Sequence, residues 1–172
     1  VQVSIDADAL KWVNDHMGPA VGDQLLREIG KTIEETTANG YHISGDEFVI
    51  EADSTEEAAS IMDKVNSRLR RATITAQKPD GTKYIKQGLE VTHATGQTKD
   101  SADYALKQAK VYRERQGLRP ARGEQPPGVV VEAPQGKQDR EDKNPAEVTQ
   151  QAATTADDNV SFRELGRFSD EA

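Results

Sequence analysis

Apolar residues fall into two rhythms along the chain, one suited to strands and one to helices. Val1-Gln-Val-Ser-Ile5 opens as a strand, and Asp8 stands where it can cap a brief helix through Trp12 and Val13. That helix ends near Asn14-Asp15, and Gly18-Pro19 breaks it. Leu25, Leu26, Ile29 and Ile33 then recur at helical spacing, which predicts a longer helix to about Ala38, stopped by Asn39-Gly40. Tyr41 to Ile50 places apolar and β-branched residues on both sides of a small-residue corner, Ser44-Gly45. It reads as a hairpin with Gly45 at positive φ.

Ser54-Thr-Glu-Glu57 has the form of a capping box, and the helix it opens has the apolar stripe Ala58, Ile61, Met62, Val65 and Leu69. Thr73–Ala76, the turn Pro79-Asp-Gly81, and a stretch from Tyr84-Ile85 through Leu89–Thr92 read as strand, turn and strand. Gly88 marks a bulge or a close backbone approach inside the second strand. A last helix is predicted from about Ser101 to Gln116, burying Ala102, Ala105, Leu106, Ala109 and Tyr112. Strands alternate with helices, yet two hairpins make the sheet largely antiparallel. The expected fold class is therefore α/β, a ferredoxin-like or palm-type sheet flanked by helices.

From Pro120 the character of the chain changes. Five of its seven prolines lie between Pro120 and Pro145, and no aromatic residue appears until Phe162. Such a segment buries too little apolar surface to offset chain entropy, so residues 1–119 are expected to form the domain and 120–172 a disordered linker or tail. Val160–Phe168 holds the only later apolar cluster, and a protein partner for the stretch around Phe162–Phe168 is a possible use for it.

Composition narrows the chemistry. A formal charge of −8 argues against general affinity for nucleic acid or for acidic membranes. Cysteine is absent, which removes disulfides, thiolate zinc sites and cysteine nucleophiles, and the three histidines show no metal-ligand spacing. No apolar run reaches membrane-spanning length and no signal peptide is visible, so a cytoplasmic location is expected. A start at Val1 rather than Met points to a piece of a longer protein.

The candidate chemistry lies in acids at strand ends. Asp46 and Glu47 follow the hairpin corner, and Asp6-Ala-Asp8 follows the first strand. An acidic turn alone is ordinarily just solvated. Two carboxylate-bearing strand ends side by side, however, are what a divalent cation sharing substrate phosphates requires.

Further residues join these at fixed spacing: Lys11, Asn14-Asp15, Gly18, Gly22-Asp23-Gln-Leu-Leu26, Ser44-Gly-Asp-Glu-Phe48, and Ala102-Asp-Tyr-Ala-Leu-Lys-Gln-Ala-Lys110. With these blocks in order, Val1 to about Gly117 resembles the GGDEF domain of the diguanylate cyclase family. The resemblance implies that Asp6, Asp46 and the Ala7 carbonyl hold two Mg²⁺ or Mn²⁺ ions. It implies that Asn14 and Asp23 read the guanine of GTP, and that Lys11, Lys110 and the backbone around Ala9 and Leu10 contact the triphosphate. Ser44 and Gly45 would bring backbone close to the nucleotide, and Glu47 would act beside Asp46 as metal support or base. The implied reaction condenses two GTP into cyclic di-GMP across a homodimer.

The chain also departs from that pattern. Ser44 replaces the first signature glycine, Pro19 a histidine, His42 an arginine, Leu10 a phenylalanine and Lys107 a tyrosine. Glu114 falls where the family has a phosphate-binding arginine, with Arg113 and Arg115 on either side. Glu35 and Ala38 occupy the positions of the arginine and aspartate of the inhibitory product site, so product inhibition there is not expected. The elements that usually precede the first strand are missing. Three functions therefore stay open: an active diguanylate cyclase, a degenerate domain that binds GTP or a protein partner without turnover, and a palm-like module of a larger polymerase or mobile-element protein.

Overall fold

A computed structural model describes residues 1–134. Its strands are β1 (Gln2–Ala7), β2 (Gly40–Ser44), β3 (Glu47–Glu51), β4 (Thr73–Gln77), β5 (Lys83–Gln87), β6 (Val91–Gly96) and β7 (Val129–Glu132). Its helices are α1 (Leu10–Met17), α2 (Pro19–Thr36), α3 (Thr55–Leu69) and α4 (Lys99–Arg115). One antiparallel sheet has the order β2-β3-β1-β6, and a smaller one the order β4-β5-β7. The larger sheet with its crossing helices is the expected ferredoxin-like arrangement, and β1 lies inside it.

The two-residue period of β1 divides its side chains between two layers. Val3, Ile5 and Ala7 join the core formed with α1, α2 and α3, where Val13, Ile29, Ile33 and Met62 are also buried. Ser4 and Asp6 take the other face, toward α4. The Ser4 hydroxyl donates to Asp103 at 2.6 Å, and Asp6 pairs with Lys110. On α4 itself, Ala102 and Leu106 are buried, whereas Tyr112, expected inside, is 62% exposed. The cap of α3 is the expected one: the Ser54 hydroxyl accepts from the Glu57 amide at 3.0 Å.

Three further expectations are corrected. Asp8 does not cap α1; Ala9 holds that position at φ 63, and the Asp8 side chain turns inward, 3% exposed. The stretch Tyr84–Thr92 is not one strand, although the close backbone approach expected at Gly88 is present. Gly88 at φ 80 divides it into β5 and β6, which belong to different sheets. Its amide bonds to the Ala72 carbonyl at 2.7 Å and that of Leu89 to Leu69 at 2.8 Å, so the chain crosses over the end of α3. Finally, the segment after Pro120 is not uniformly without structure, since Val129–Glu132 pairs with β5. Residues 135–172, with the remainder of the expected tail and the Phe162–Phe168 cluster, lie outside the described residues.

A buried lysine fastens β7. Lys86, 2% exposed, donates from Nζ to the carbonyls of Gly88 (2.6 Å) and Pro127 (2.8 Å) and pairs with Glu90 at 2.9 Å. Burial raises the Glu90 carboxyl above its usual range, with Lys86 opposing the shift. Lys86→Met should leave those acceptors unpaired and cost about 3 kcal/mol in urea unfolding, with faster amide exchange in β5 as β7 releases.

His93 on β6 has its pKa depressed from 6.5, first by burial and then by the neighbouring Arg113 charge, with Asp63 opposing. The unfolded chain therefore takes up the proton first. Stability should begin to fall as the pH drops through about 6.5, and the loss should be complete below the folded value. Thermal unfolding followed between pH 7.5 and 5 should show a shallower slope in His93→Gln.

Candidate functional site

The residues at the end of β1 cannot remain in the core rhythm, because aspartate at positions 6 and 8 needs partners. Those partners come from across the fold. Asp6 pairs with Lys110 of α4, and Arg119 Nη2 lies 3.8 Å from the same carboxylate. Asp8 accepts from Thr92 Oγ1 at 2.7 Å, from Arg119 Nη1 at 2.7 Å and from Arg113 Nη1 at 3.3 Å. Arg113 also donates to the Val91 carbonyl at 2.8 Å. The result is a row of buried acids clamped against one helix and the turn that follows it.

Asp46 reaches Asp6 because β1 and β3 are register-locked. Asp6 lies opposite Glu47, and the Ala7 amide donates to the Asp46 carbonyl at 3.1 Å. The turn at Gly45, φ 45, supplies the expected left-handed corner. Burial pushes the Asp6 carboxyl up to about 6; Lys110 opposes this, and the adjacent Asp46 carboxylate adds to it. The Asp46 carboxylate is thus close enough to act on Asp6.

They open on a cavity of about 740 Å³, within the range of small-molecule sites. Of the residues singled out in the sequence, Asp6, Ala7, Ala9, Leu10, Lys11, Asn14, Gly45, Asp46 and Lys110 line it. Asp23, Ser44 and Glu47 do not; all three are exposed. Lys11 pairs with Asp15 across one helical turn at 2.8 Å. Asn14 leans on α2 where Gly22 leaves room: a Cβ there would sit 1.7 Å from Asn14 Oδ1.

The mouth of α1 is suited to anions. Ala9 is the one non-glycine residue at positive φ among the described residues, and that twist starts the helix with no side-chain cap bond from Ala9. First-turn amides free of a cap, beside Lys11, favour negative charge.

Metal fit can be judged from the donors. Among the described residues no three His, Cys, Asp or Glu side chains converge, so a closed protein cage is absent. Mg²⁺ needs less, because it is held by one or two carboxylates together with substrate phosphates and water. Asp6 Oδ1 is buried without a hydrogen-bond partner, an acceptor left over for a cation. Asp6, Asp46 and the Ala7 carbonyl are an adequate donor set.

Sequence reasoning missed the segment after α4. Arg119, Pro120, Ala121, Arg122 and Gly123 form one wall of the cavity, and Glu114 stands in it as well. The only signal in the sequence was two arginines at the edge of a proline-rich stretch, which by composition reads as linker.

Comparison with known proteins bears on the fold and the family. The fold matches the GGDEF domain of YfiN (TpbB) from Pseudomonas aeruginosa, with a TM-score of 0.50, 23% identity, and 72% of this chain and 78% of that one covered. It also matches an EAL/GGDEF domain protein from M. capsulatus, with a TM-score of 0.51, 24% identity, and 64% and 77% covered. In sequence, the chain is 31% identical over 83 residues to the uncharacterized protein YhcK of Bacillus subtilis (strain 168). That alignment takes in 45% of this chain and only 23% of YhcK, so the chain spans less than a quarter of that relative. The family model for the diguanylate cyclase GGDEF domain matches residues 1–116, from the first strand to the end of α4, and the chain belongs to that family.

Proposed function

We propose that the domain condenses two GTP molecules into cyclic di-GMP as a homodimer, using Mg²⁺ or Mn²⁺. The observation that carries this reading is the meeting of Asp6 and Asp46 at one cavity, with an unpartnered carboxylate oxygen on Asp6. Asp6, Asp46 and the Ala7 carbonyl hold the metal, which when bound supplies charge stabilisation to the phosphate oxygens and the attacking 3′-oxygen.

The chain's own groups do the rest. Lys11, Lys110 and the first-turn amides of α1 near Ala9 and Leu10 orient the triphosphate. Asn14 in the lining and Asp23, on α2 outside it, read the guanine edge, and the backbone at Ser44-Gly45 comes close to the nucleotide. A carboxylate accepting from guanine N1–H and N2–H₂ prefers guanine to adenine. Glu47, outside the lining, serves beside Asp46 as metal support or base. Each domain carries one GTP, so the attacking hydroxyl must come from a second copy facing it.

A second reading has its own observation. Glu114 lies in the cavity wall where cationic charge would help a triphosphate, and Lys110 pairs with Asp6. A domain that binds GTP without turnover fits those two facts.

One assay separates the two readings. Protein incubated with GTP and Mg²⁺ should yield cyclic di-GMP by mass, with Asp46→Ala lowering the rate by at least about 100-fold. Bound GTP with no product at high protein concentration leaves the non-catalytic reading. Guanine recognition is tested at Gly22. Gly22→Ala should keep the fold, since alanine favours helix, but drive the Asn14 side chain aside and weaken GTP binding about fivefold in calorimetry.

A further inference from the structure

Among the described residues only two buried side-chain polar atoms lack a hydrogen-bond partner, Asp6 Oδ1 and Arg119 Nε, and both belong to residues lining the same cavity. One is an acceptor and the other a donor. Buried polar groups are almost always satisfied, so an orphan pair at one cavity is a place where a ligand can complete the bonding. The acceptor suits a cation, as above. The donor calls for an anion.

Arg119 is held ready for one. Its Nη1 is fully used, donating to Asp8 Oδ1 at 2.7 Å and to Thr92 Oγ1 at 3.0 Å. Its Nη2 approaches Asp6 only at 3.8 Å, and its Nε lies 3.6 Å from Glu114 Oε1 without a hydrogen bond. The Nε–Nη2 edge is the pair of parallel donors with which a guanidinium grips a phosphate. Asp8, 3% exposed, thereby fixes the arginine by one nitrogen and leaves that edge without hydrogen bonds. Glu114, one helical turn beyond Lys110, cannot bind phosphate itself.

We propose that Arg119, from the turn after α4 and outside the family-matched residues 1–116, binds the polyphosphate of the nucleotide in this cavity. This rests on the GTP reading above and deepens it. Arg119 supplies, from a segment added after the helix, the cationic grip that Glu114 denies. Arg122, on the same wall, adds long-range attraction without a fixed geometry.

The test uses the full chain and calorimetric binding of GTP and of guanosine with Mg²⁺ present. Arg119→Gln should weaken GTP about tenfold and leave guanosine unchanged, with Arg119→Lys recovering part of the loss. Arg115→Gln, on the exposed side of α4, should alter neither. Because Arg119 also pairs with Asp8, a second measurement avoids substitution. Phenylglyoxal labelling of the wild-type protein, read by mass spectrometry, should be slowed at Arg119 by GTP and not by guanosine. If GTP affinity is unaffected by Arg119→Gln, or GTP and guanosine weaken together, or labelling ignores GTP, Arg119 is a structural clamp for Asp8 and the proposal falls while GTP binding stands. If the wild-type chain binds no GTP, the functional reading fails and takes this with it.

Discussion

The arrangement depends on balancing negative charge at the end of a buried strand. Asp6 and Asp8 are each 3% exposed, and a carboxylate withdrawn from water costs several kcal/mol unless it is paired. Lys110, Arg113 and Arg119 supply the compensation, and all three come from α4 or the turn beyond it. The helix is therefore fixed against the sheet by ion pairs as well as by Ala102 and Leu106. Docking of α4 and assembly of the cavity are one event.

That coupling explains why the site sits where it does. The alternation of β1 commits Val3, Ile5 and Ala7 to the core, leaving Ser4 and Asp6 to the α4 face. The neighbouring strand β3 is antiparallel, so its turn delivers Asp46 next to the last residues of β1. A one-residue slip would exchange the two faces, turning Ser4 and Asp6 into the core and Val3, Ile5 and Ala7 toward α4. Register, more than any single contact, sets the distance between the two carboxylates.

The segment after α4 alters the picture of the domain's edge. β7 extends the small sheet, Lys86 fastens it by the Pro127 carbonyl, and the turn between α4 and β7 walls the cavity. Residues that would be a spacer by composition thus form part of the structure that holds the candidate site. At the same wall stand Glu114 and Arg119, of opposite charge.

Much was legible in the chain itself. Helices α2 and α3 followed from 3.6-residue stripes, the β2–β3 hairpin from its glycine corner, and the fold class from the order of elements. That Asp6, Lys11, Asn14, Asp46 and Lys110 form a spaced set followed from the resemblance to a family pattern, and the structure places all five around one cavity. Tertiary structure alone decided the rest. The division at Gly88 depended on which sheet each half joined, and an isolated glycine reads the same in either case. Asp8 is chemically able to cap α1, and only the arrival of Thr92, Arg113 and Arg119, all more than 80 residues later, draws it inward instead. Arg119 and β7 drew no attention for the same reason: their partners are distant, and long-range pairing of charges and strand edges leaves no periodic mark in the residues that make it.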